Sequence, residues 1–225
     1  MQINEIFSSI EGEGIRAGYL ATFIRTQFCN LKCTYCDTKY SWDTKDDKGC
    51  LQYRDMTVGE IINKCKNLGN KRITFTGGEP LLQLDSKVLL LNLLKEGYEV
   101  NIETNGSINI NDYTYIPNTD LSNLIITMDW KSPSSGAREE MLLSNLMYLR
   151  GHDVLKFVVG NKEDLDDMRE VVNSLPRACN IFVSPVFGEI EPKDIVEYLK
   201  ENNLQNIRMQ LQLHKFIWPV EMRGV

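Results

Sequence analysis

Three cysteines stand close together in the stretch FCNLKCTYCDT, as Cys29, Cys33 and Cys36. Their spacing is C-x3-C-x2-C, and thiolates are soft ligands that suit iron–sulfur clusters, zinc and copper(I). A structural zinc site usually has a second pair of ligands, but the sequence contains no second C-x2-C motif and no H-x3-H motif. Three thiolates on one loop therefore fit a cubane cluster with one open iron better than they fit zinc.

Three other short segments contain residues suited to ligand binding. In TGGEP, Gly77 and Gly78 would let the backbone approach a ligand closely, and Glu79 could accept hydrogen bonds from an amine. The ETNG motif spans residues 103–106, although its Asn-Gly pair is also typical of an ordinary turn. KSPSSG, residues 131–136, is compatible with a plain loop and equally with hydroxyls that hold a ribose or a carboxylate.

The N-terminal segment SIEGEG alternates acidic residues with glycine. Glu11 and Glu13 would offer carboxylate acceptors to a ligand with N–H donors, such as a guanine-like or pterin ring. Arg25 stands at the end of the first predicted strand, where its guanidinium offers a bidentate contact for a carboxylate. Singly, these residues would indicate a solvated turn and a surface ion pair. Together, just before the cysteine loop, they favour a binding site.

Alternating strands and helices must position these motifs. The predicted strands are YLATFIRT, RITFTGGEP, YEVNIETNG, LIITMDW, VLKFVVG, NIFVSP and NIRMQLQLH. The predicted helices are TVGEIINKCKNL, residues 84–96, residues 138–149, KEDLDDMREVVNSL and PKDIVEYLKENN. This alternation predicts an α/β protein with a parallel sheet, either a partial barrel or a doubly wound sheet. In both folds ligands bind where the strands end, and the unusual motifs gather there.

Bulk properties narrow the class of protein. The chain has 225 residues and is expected to form one domain, residues 1–225. Its net charge of −6 argues against a broad nucleic-acid surface. We also expect no membrane partner, because the sequence shows no signal peptide and no apolar run of spanning length. A cytoplasmic location follows, in which the six cysteines are ligands or core residues rather than disulfides.

The cysteine motif, with Tyr35 just before its third cysteine, resembles that of the radical S-adenosylmethionine enzymes. The resemblance implies a partial β/α barrel of about six parallel strands, with a [4Fe–4S] cluster on the three cysteines. The open iron would take the amino and carboxylate groups of S-adenosylmethionine. The reduced cluster would split this cofactor into methionine and a 5′-deoxyadenosyl radical, so the protein supplies placement and exclusion of water.

SIEGEG, AGYLATFIRTQFCNLKCTYCDT, TGGEP, ETNG and LQLHKF together look like the 7-carboxy-7-deazaguanine synthase family. That family turns 6-carboxy-5,6,7,8-tetrahydropterin into 7-carboxy-7-deazaguanine, losing ammonia, in queuosine and deazapurine biosynthesis. The resemblance implies no catalytic side chain, since the cofactor carries the radical chemistry. The implied substrate-binding residues are Ile10, Glu11, Glu13, Arg25, Glu103, Ser184 and His214. The implied cofactor contacts are Tyr35, Gly77, Gly78, Glu79, Thr104, Asn105, Lys131, Ser132 and Ser134, and Thr38 matches a contact to Mg²⁺.

Four departures from the family pattern bear on these assignments, and the first is Glu11, which stands where the family often has glutamine. Ser184 stands where the family often has glutamine, so its shorter side chain would reach the ring through a water. The segment MDWKSPSSG differs from the usual form, which leaves open whether Lys131 or Ser134 contacts the cofactor. The chain also continues past HK to Val225, whereas some members use a nearby terminus at the substrate.

The resemblance further implies a pterin substrate, a reductant such as flavodoxin or ferredoxin, and a homodimer. Two other functions remain open from the sequence. A radical activase acting on a partner protein would share the cysteine loop and TGGEP, but it would not need EGEG and Arg25. A non-catalytic metal-binding module would share only the cysteines, and anaerobic cluster reconstitution would distinguish zinc from iron–sulfur binding.

Overall fold

The computed structural model describes residues 1–42, 45, 48–219 and 222–225. Within these residues the strands are β1 (Gln2–Ile10), β2 (Leu20–Thr26), β3 (Arg54–Asp55), β4 (Arg72–Gly77), β5 (Glu99–Thr104), β6 (Leu124–Trp130), β7 (Val154–Val159), β8 (Asn180–Pro185) and β9 (Ile207–Met209). They form one sheet in the order β3-β1-β2-β4-β5-β6-β7-β8-β9.

The direction of the strands distinguishes between the two predicted architectures. From β2 to β9, each strand pairs in parallel with the next one in the sheet, whereas β1 is antiparallel to both β2 and β3. A doubly wound sheet reverses its strand order at a switch point, and this sheet does not. Seven parallel strands in sequence order are one fewer than a closed eight-stranded barrel needs. The predicted α/β partial barrel is confirmed.

The helices are α1 (Val58–Leu68), α2 (Ser86–Lys95), α3 (Asn111–Thr114), α4 (Lys162–Asn173), α5 (Pro192–Glu201) and α6 (His214–Ile217). The predicted helix TVGEIINKCKNL is α1, and it begins with a capping box in which the Thr57 and Glu60 side chains accept from each other's backbone amides. Gly69 ends this helix with a φ of 73°. Within the described residues, no helix has the length and apolar character needed to cross a membrane.

The two faces of the sheet differ in polarity, and this difference positions the site. Ile24, Phe75, Ile102 and Ile126 lie side by side on β2, β4, β5 and β6, and all four are fully buried. Because strand side chains alternate between faces, the next residue of each strand points the other way. These next residues are polar: Arg25, Thr76, Glu103 and Thr127. Polar groups therefore face the inside of the barrel near the strand ends.

Two parts of the sequence prediction are wrong. The segment 138–149 is not an α-helix but two 3₁₀ turns, Arg138–Glu140 and Leu143–Met147. The buried Asn145 amide donates to the carbonyls of Gly106 and Ile108 and accepts from the Ile110 amide, so this segment braces a loop. The second error concerns the strands: β1 and β3 were not predicted, and the predicted last strand is too long, since β9 ends at Met209.

Candidate active site

A cavity of about 410 Å³ lies at the carboxyl ends of the parallel strands. Its volume falls in the range of small-molecule sites. Sixteen of the predicted residues line it: Ile10, Glu11, Glu13, Arg25, Cys29, Cys33, Tyr35, Cys36, Thr38, Gly77, Gly78, Glu103, Thr104, Asn105, Lys131 and His214. Four predicted residues lie outside this lining, namely Glu79, Ser132, Ser134 and Ser184.

Backbone contacts hold the cysteine loop at the carboxyl end of β4. Phe28 begins the loop with a φ of 78°, a left-handed conformation that is rare for an aromatic residue. Its amide donates to the Ser41 carbonyl at 2.8 Å, and its carbonyl accepts from the Glu79 amide at 2.8 Å. A Cβ on Gly78 would stand 2.1 Å from the Phe28 carbonyl oxygen, so only glycine allows this approach. The TGGEP turn thereby fixes the start of the loop.

The three thiols suit a metal cluster in which each thiolate binds a different metal atom. Cys29 Sγ accepts hydrogen bonds from the Leu31 amide at 3.4 Å and from Asn105 Nδ2 at 3.6 Å. Burial raises the pKa of both Cys29 and Cys33, so a bound metal would have to displace their protons. No three metal-binding side chains of the described residues converge on a single ion. In a cubane each thiolate binds a different iron, so such convergence is not required.

The structure gives Glu79 a role in the fold. Its buried carboxylate accepts hydrogen bonds from the Leu81 amide at 3.0 Å, the Thr104 hydroxyl at 2.8 Å and the Asn105 amide at 2.7 Å. Burial raises its pKa to about 7, against the opposing effect of these donors. The side chain ties the end of β4 to the end of β5. Its oxygens therefore already have partners, and it stands behind the cavity wall.

The KSPSSG segment divides its residues between the cavity and the fold. Lys131 lines the cavity, with Nζ 3.0 Å from Asp129 Oδ2. Ser134 faces Asp164 instead, donating from its amide at 2.9 Å and from its hydroxyl at 2.5 Å. Ser132 is fully buried, and its hydroxyl has no hydrogen-bond partner among the described residues. Between Lys131 and Ser134, only the lysine lines the cavity.

Arg25 presents the free end of its guanidinium to the cavity. Its Nε donates to Glu5 Oε1 at 2.8 Å, and the Tyr40 hydroxyl donates to the same oxygen at 3.0 Å. Among the described residues, no hydrogen bond reaches the two Nη atoms. The side chain is only 15% exposed, so Glu5 and Tyr40 hold a desolvated fork that is available to an anion.

Glu13 is the centre of a hydrogen-bond network on the β7 and β8 side of the cavity. Its carboxylate accepts from the Ser184 hydroxyl at 2.9 Å, Lys156 Nζ at 3.1 Å and Gln212 Nε2 at 3.2 Å. Ser184 itself is fully buried and lies outside the cavity lining. It therefore contacts Glu13 directly rather than standing at the cavity surface. Gln212 lines the cavity, and its buried Oε1 atom has no partner in the described chain.

Glu103, Asp129 and Lys156 bring further charge to the inner face of the sheet. Asp129 and Lys156 are neighbours across β6 and β7, with Nζ 3.1 Å from Oδ1. Burial would raise the pKa of Asp129, but Lys131 and Lys156 outweigh burial and lower it. Burial raises the pKa of Glu103 to about 7, although Lys156 opposes the shift. Glu103 can therefore change its protonation state near neutral pH.

Glu11 has structural partners of its own. Its side chain is 2% exposed and accepts from Arg16 Nη2 at 2.5 Å and from the Thr74 hydroxyl. Arg16 also donates to the carbonyls of Ile73 and Glu99, which joins the N-terminal segment to β4 and β5. The Glu11 carboxylate thus anchors the segment that presents Glu13, and it is not among the substrate contacts that we propose below.

His214 reaches the cavity from the first residue of α6 and packs on the N-terminal segment. A Cβ on Gly12 would stand 2.3 Å from its Nδ1 atom, so the glycine makes room for the ring. The Leu213 amide donates to the Gly12 carbonyl at 3.1 Å and holds the two segments together. Burial lowers the pKa of His214, which favours the neutral imidazole at pH 7.

The residues beyond α6 return to the cavity. Trp218, Pro219 and residues 222–225 are part of its lining. The Arg223 guanidinium lies 3.6 Å from the centre of the Tyr40 ring, and it donates to Asn4 Oδ1 at 2.9 Å. Tyr40 is the residue that supports Glu5 and hence Arg25. Residues 218–219 and 222–225 therefore lie over the part of the cavity that contains Arg25.

Three residues of the site were not predicted from the sequence: Asp129, Lys156 and Gln212. Asp129 and Lys156 each interrupt an apolar strand with a charge, in LIITMDW and VLKFVVG. A charge inside a strand that is otherwise apolar is costly to bury unless it is paired, and this was the available signal. Gln212 precedes His214 in a polar segment and offered no such signal.

Comparison with known proteins identifies the family. A model of the radical SAM superfamily matches residues 23–117. The 7-carboxy-7-deazaguanine synthase of Clostridium acetobutylicum is 42% identical over 228 residues, covering 100% of this chain and 99% of that protein. The enzyme of the same name from Methanospirillum hungatei is 42% identical over 218 residues, covering 96% of this chain and 85% of that protein.

A solved structure has the same fold. The crystal structure of QueE from Escherichia coli aligns with a TM-score of 0.72 and 24% identity, covering 95% of this chain and 94% of that chain. This structural match agrees with the full-length sequence matches. The three thiols of the cysteine loop line the cavity. The chain belongs to the 7-carboxy-7-deazaguanine synthase family of radical SAM enzymes, which use a [4Fe–4S] cluster and S-adenosylmethionine.

Proposed function

We propose that this protein is a lyase that converts 6-carboxy-5,6,7,8-tetrahydropterin into 7-carboxy-7-deazaguanine with loss of ammonia. The observation that carries the proposal is the arrangement of opposite groups around one cavity beside the cysteine loop. Arg25 offers a cationic fork for a carboxylate, while Glu13 and Glu103 offer acceptors for ring N–H groups. A pterin with a carboxylate at one end and an amino-substituted ring at the other has this pattern of charge and donors.

Cys29, Cys33 and Cys36 would hold the cluster, and the chemistry of the three thiols fits it. With S-adenosylmethionine bound, the reduced cluster would supply radical chemistry, which would begin with removal of a hydrogen from the substrate. The protein holds the reactants and excludes water from them. The Leu31 amide and Asn105 donate to Cys29, and such donors stabilise negative charge on a cluster ligand.

Around the cluster, the backbone at Gly77 and Gly78 and the side chains of Tyr35, Thr104 and Asn105 would hold S-adenosylmethionine. Of the two candidates left open by the sequence, we propose Lys131, because it lines the cavity and Ser134 is bound to Asp164. Ser132 and Glu79 would act by supporting the lining residues rather than by touching the cofactor.

On the substrate side, Arg25 would bind the carboxylate while Glu13, Glu103 and His214 hold the ring edge, next to the backbone of Ile10. Ser184 would act through Glu13, to which it donates. Gln212 adds a contact that the family resemblance did not suggest, since its unpaired Oε1 can accept one further ring N–H. The desolvated setting strengthens each of these polar contacts.

We further propose that Thr38 contributes to a Mg²⁺ site that includes the substrate. Its hydroxyl is 3.6 Å from Cys36 Sγ, and both residues line the cavity. One hydroxyl is a weak ligand, so substrate oxygens and waters would complete the octahedral shell. Measuring product formation against Mg²⁺ concentration, in wild type and in Thr38→Ala, tests this contact.

We extend the proposal to location and partners: the protein would be a cytoplasmic homodimer. Its cluster would be reduced by a flavodoxin or a ferredoxin, and the protein would not bind nucleic acid. The acidic balance of the chain supports the last point. The exposed rings of Phe187 and Phe216, which meet edge to face, are apolar surface that a second copy could cover. Light scattering gives the oligomeric state, and cluster reduction by each purified reductant gives the electron donor.

An anaerobic assay tests the main proposal. Protein carrying about four irons and four sulfides per chain is mixed with reductant, S-adenosylmethionine and the carboxy-tetrahydropterin, and the products are separated by chromatography. We expect 7-carboxy-7-deazaguanine and ammonia in equal amounts. Cofactor cleavage without the deazaguanine would favour a radical activase instead, and one zinc per chain without a cluster would favour a metal-binding module.

A further inference from the structure

Lys156 occupies an unusual place for a lysine. It lies within β7, and its side chain is 9% exposed on the cavity side of the sheet. Its Nζ is 3.1 Å from Asp129 Oδ1 and 3.1 Å from Glu13 Oε2. A buried ammonium is costly unless each of its donors has a partner. The lysine must therefore be matched to the acids around it.

The acids around Lys156 differ in how well they are neutralised. The charged and titratable groups that face Lys156 are Glu13, Glu103, Asp129, Lys131 and His214, and Glu11 faces Glu103. Glu11 has its own cation in Arg16, and Asp129 is shared with Lys131. Within the described chain, Lys156 is paired with Glu13 at 3.1 Å, and its charge also acts on Glu103.

We propose that Lys156 is a positioning residue that holds the Glu13 carboxylate in place and opposes protonation of Glu103, so that both carboxylates accept from the substrate ring. This inference rests on the proposed function. An ionised carboxylate only accepts hydrogen bonds, whereas a protonated one carries a donor that would oppose the N–H groups of the ring. Lys156 would thus select a ring edge rich in donors without touching the ring.

A second observation supports this arrangement. Beneath the main cavity is a small one of about 10 Å³, lined in part by Glu103, Lys156, Asn101 and Thr127. This volume suits a single water, which needs two or more polar partners, and these side chains supply them. Lys156 has three N–H donors, of which Glu13 accepts one, and its ammonium forms an ion pair with Asp129 Oδ1 at 3.1 Å. A water in the small cavity can accept from a remaining donor and donate a hydrogen bond to Glu103.

Binding of the carboxy-tetrahydropterin to cluster-loaded protein tests the inference, measured by anaerobic calorimetry without S-adenosylmethionine between pH 6 and 9. In Lys156→Met, Glu13 loses a hydrogen-bond donor and Glu103 loses the cation that opposes its protonation, so the pKa of Glu103 rises. With its pKa at about 7, about half of the wild-type Glu103 side chains are ionised at pH 7, and a rise of one unit leaves about a tenth ionised. We therefore expect binding to weaken about fivefold at pH 7 and the pH midpoint to lie about one unit higher. Lys156→Arg should restore both.

Two further variants separate charge from packing. Lys156→Gln keeps hydrogen-bond donors without the charge, and it replaces Lys156→Met if that variant does not fold. Lys193→Met, on the exposed face of α5, removes a lysine far from the cavity and should bind as the wild type does.

The wild type distinguishes failure of the inference from failure of the function. If cluster-loaded wild type does not bind the pterin, the proposed function fails and the inference fails with it. If wild type binds, and the Met and Gln variants bind equally well with an unchanged pH midpoint, the role of Lys156 is overturned while the proposed function stands.

Discussion

Gly12→Ala tests whether the N-terminal segment positions His214. The added Cβ would stand 2.3 Å from His214 Nδ1, whereas ordinary contacts begin at 3.4 Å, so the ring must move by roughly 1 Å. The Leu213–Gly12 hydrogen bond prevents the two segments from simply separating. A displacement of this size in a positioned group can cost about a hundredfold in rate. We expect kcat/KM for the pterin to fall by about tenfold to a hundredfold, with cluster content unchanged.

A double-mutant cycle identifies the cause of that loss. In His214→Ala the ring is absent, so adding Gly12→Ala should cost little more, and the two effects should be far from additive. Gly59→Ala is the matched control, because a Cβ there meets nothing within 4 Å. Fully additive losses, or a Gly12→Ala enzyme with wild-type kcat/KM, would show that the contact between Gly12 and the ring does not position His214.

Three other substitutions test separate parts of the site. Cys33→Ala should lower bound iron well below four per chain and abolish cofactor cleavage, as measured by iron assay and chromatography; full iron content would contradict its assignment. Arg25→Ala should weaken pterin binding by about tenfold to a hundredfold while the cluster stays intact, because a charged contact worth about 1.5–3 kcal/mol is lost. Unchanged affinity would remove Arg25 from the site. In wild type, Glu79 has its pKa raised to about 7, so the folded protein retains a proton there above the usual 4.5. The free energy of unfolding should therefore fall as pH rises from 4.5 to 7, and Glu79→Gln should flatten this dependence in denaturant titrations. Parallel curves for the two proteins would contradict that pKa.

The repeating part of the fold was predictable because its signals are local. The capping box at Thr57 and the strand–helix alternation depend on residues a few positions apart. The wrong helix at 138–149 has a different origin, since Asn145 bonds to a loop more than thirty residues away. β1 was missed because its apolar residues do not alternate, and its register with β2 shifts between Ile3 and Glu5.

The residues of the candidate site likewise divide into those that local motifs predict and those that depend on tertiary packing. The cysteines, Arg25 and the glycine turns belong to compact motifs, and the structure brings them to one cavity. The partnership of Asp129 with Lys156 depends on the register between two strands, which single-sequence patterns do not specify. The hydrogen bonds from Arg16 and Thr74 to Glu11 likewise depend on how the N-terminal segment packs against β4.

The two sides of the cavity are formed by contacts that differ greatly in sequence separation. The cluster loop meets TGGEP and ETNG within about eighty residues, as in the 75-residue separation between Asn30 and Asn105. The Glu13 side of the cavity needs Gln212, 199 residues away. During synthesis the ligands of the cluster therefore leave the ribosome and can pack long before the pterin pocket has its last wall. A nascent chain could acquire its metal centre while it is still unable to hold a substrate.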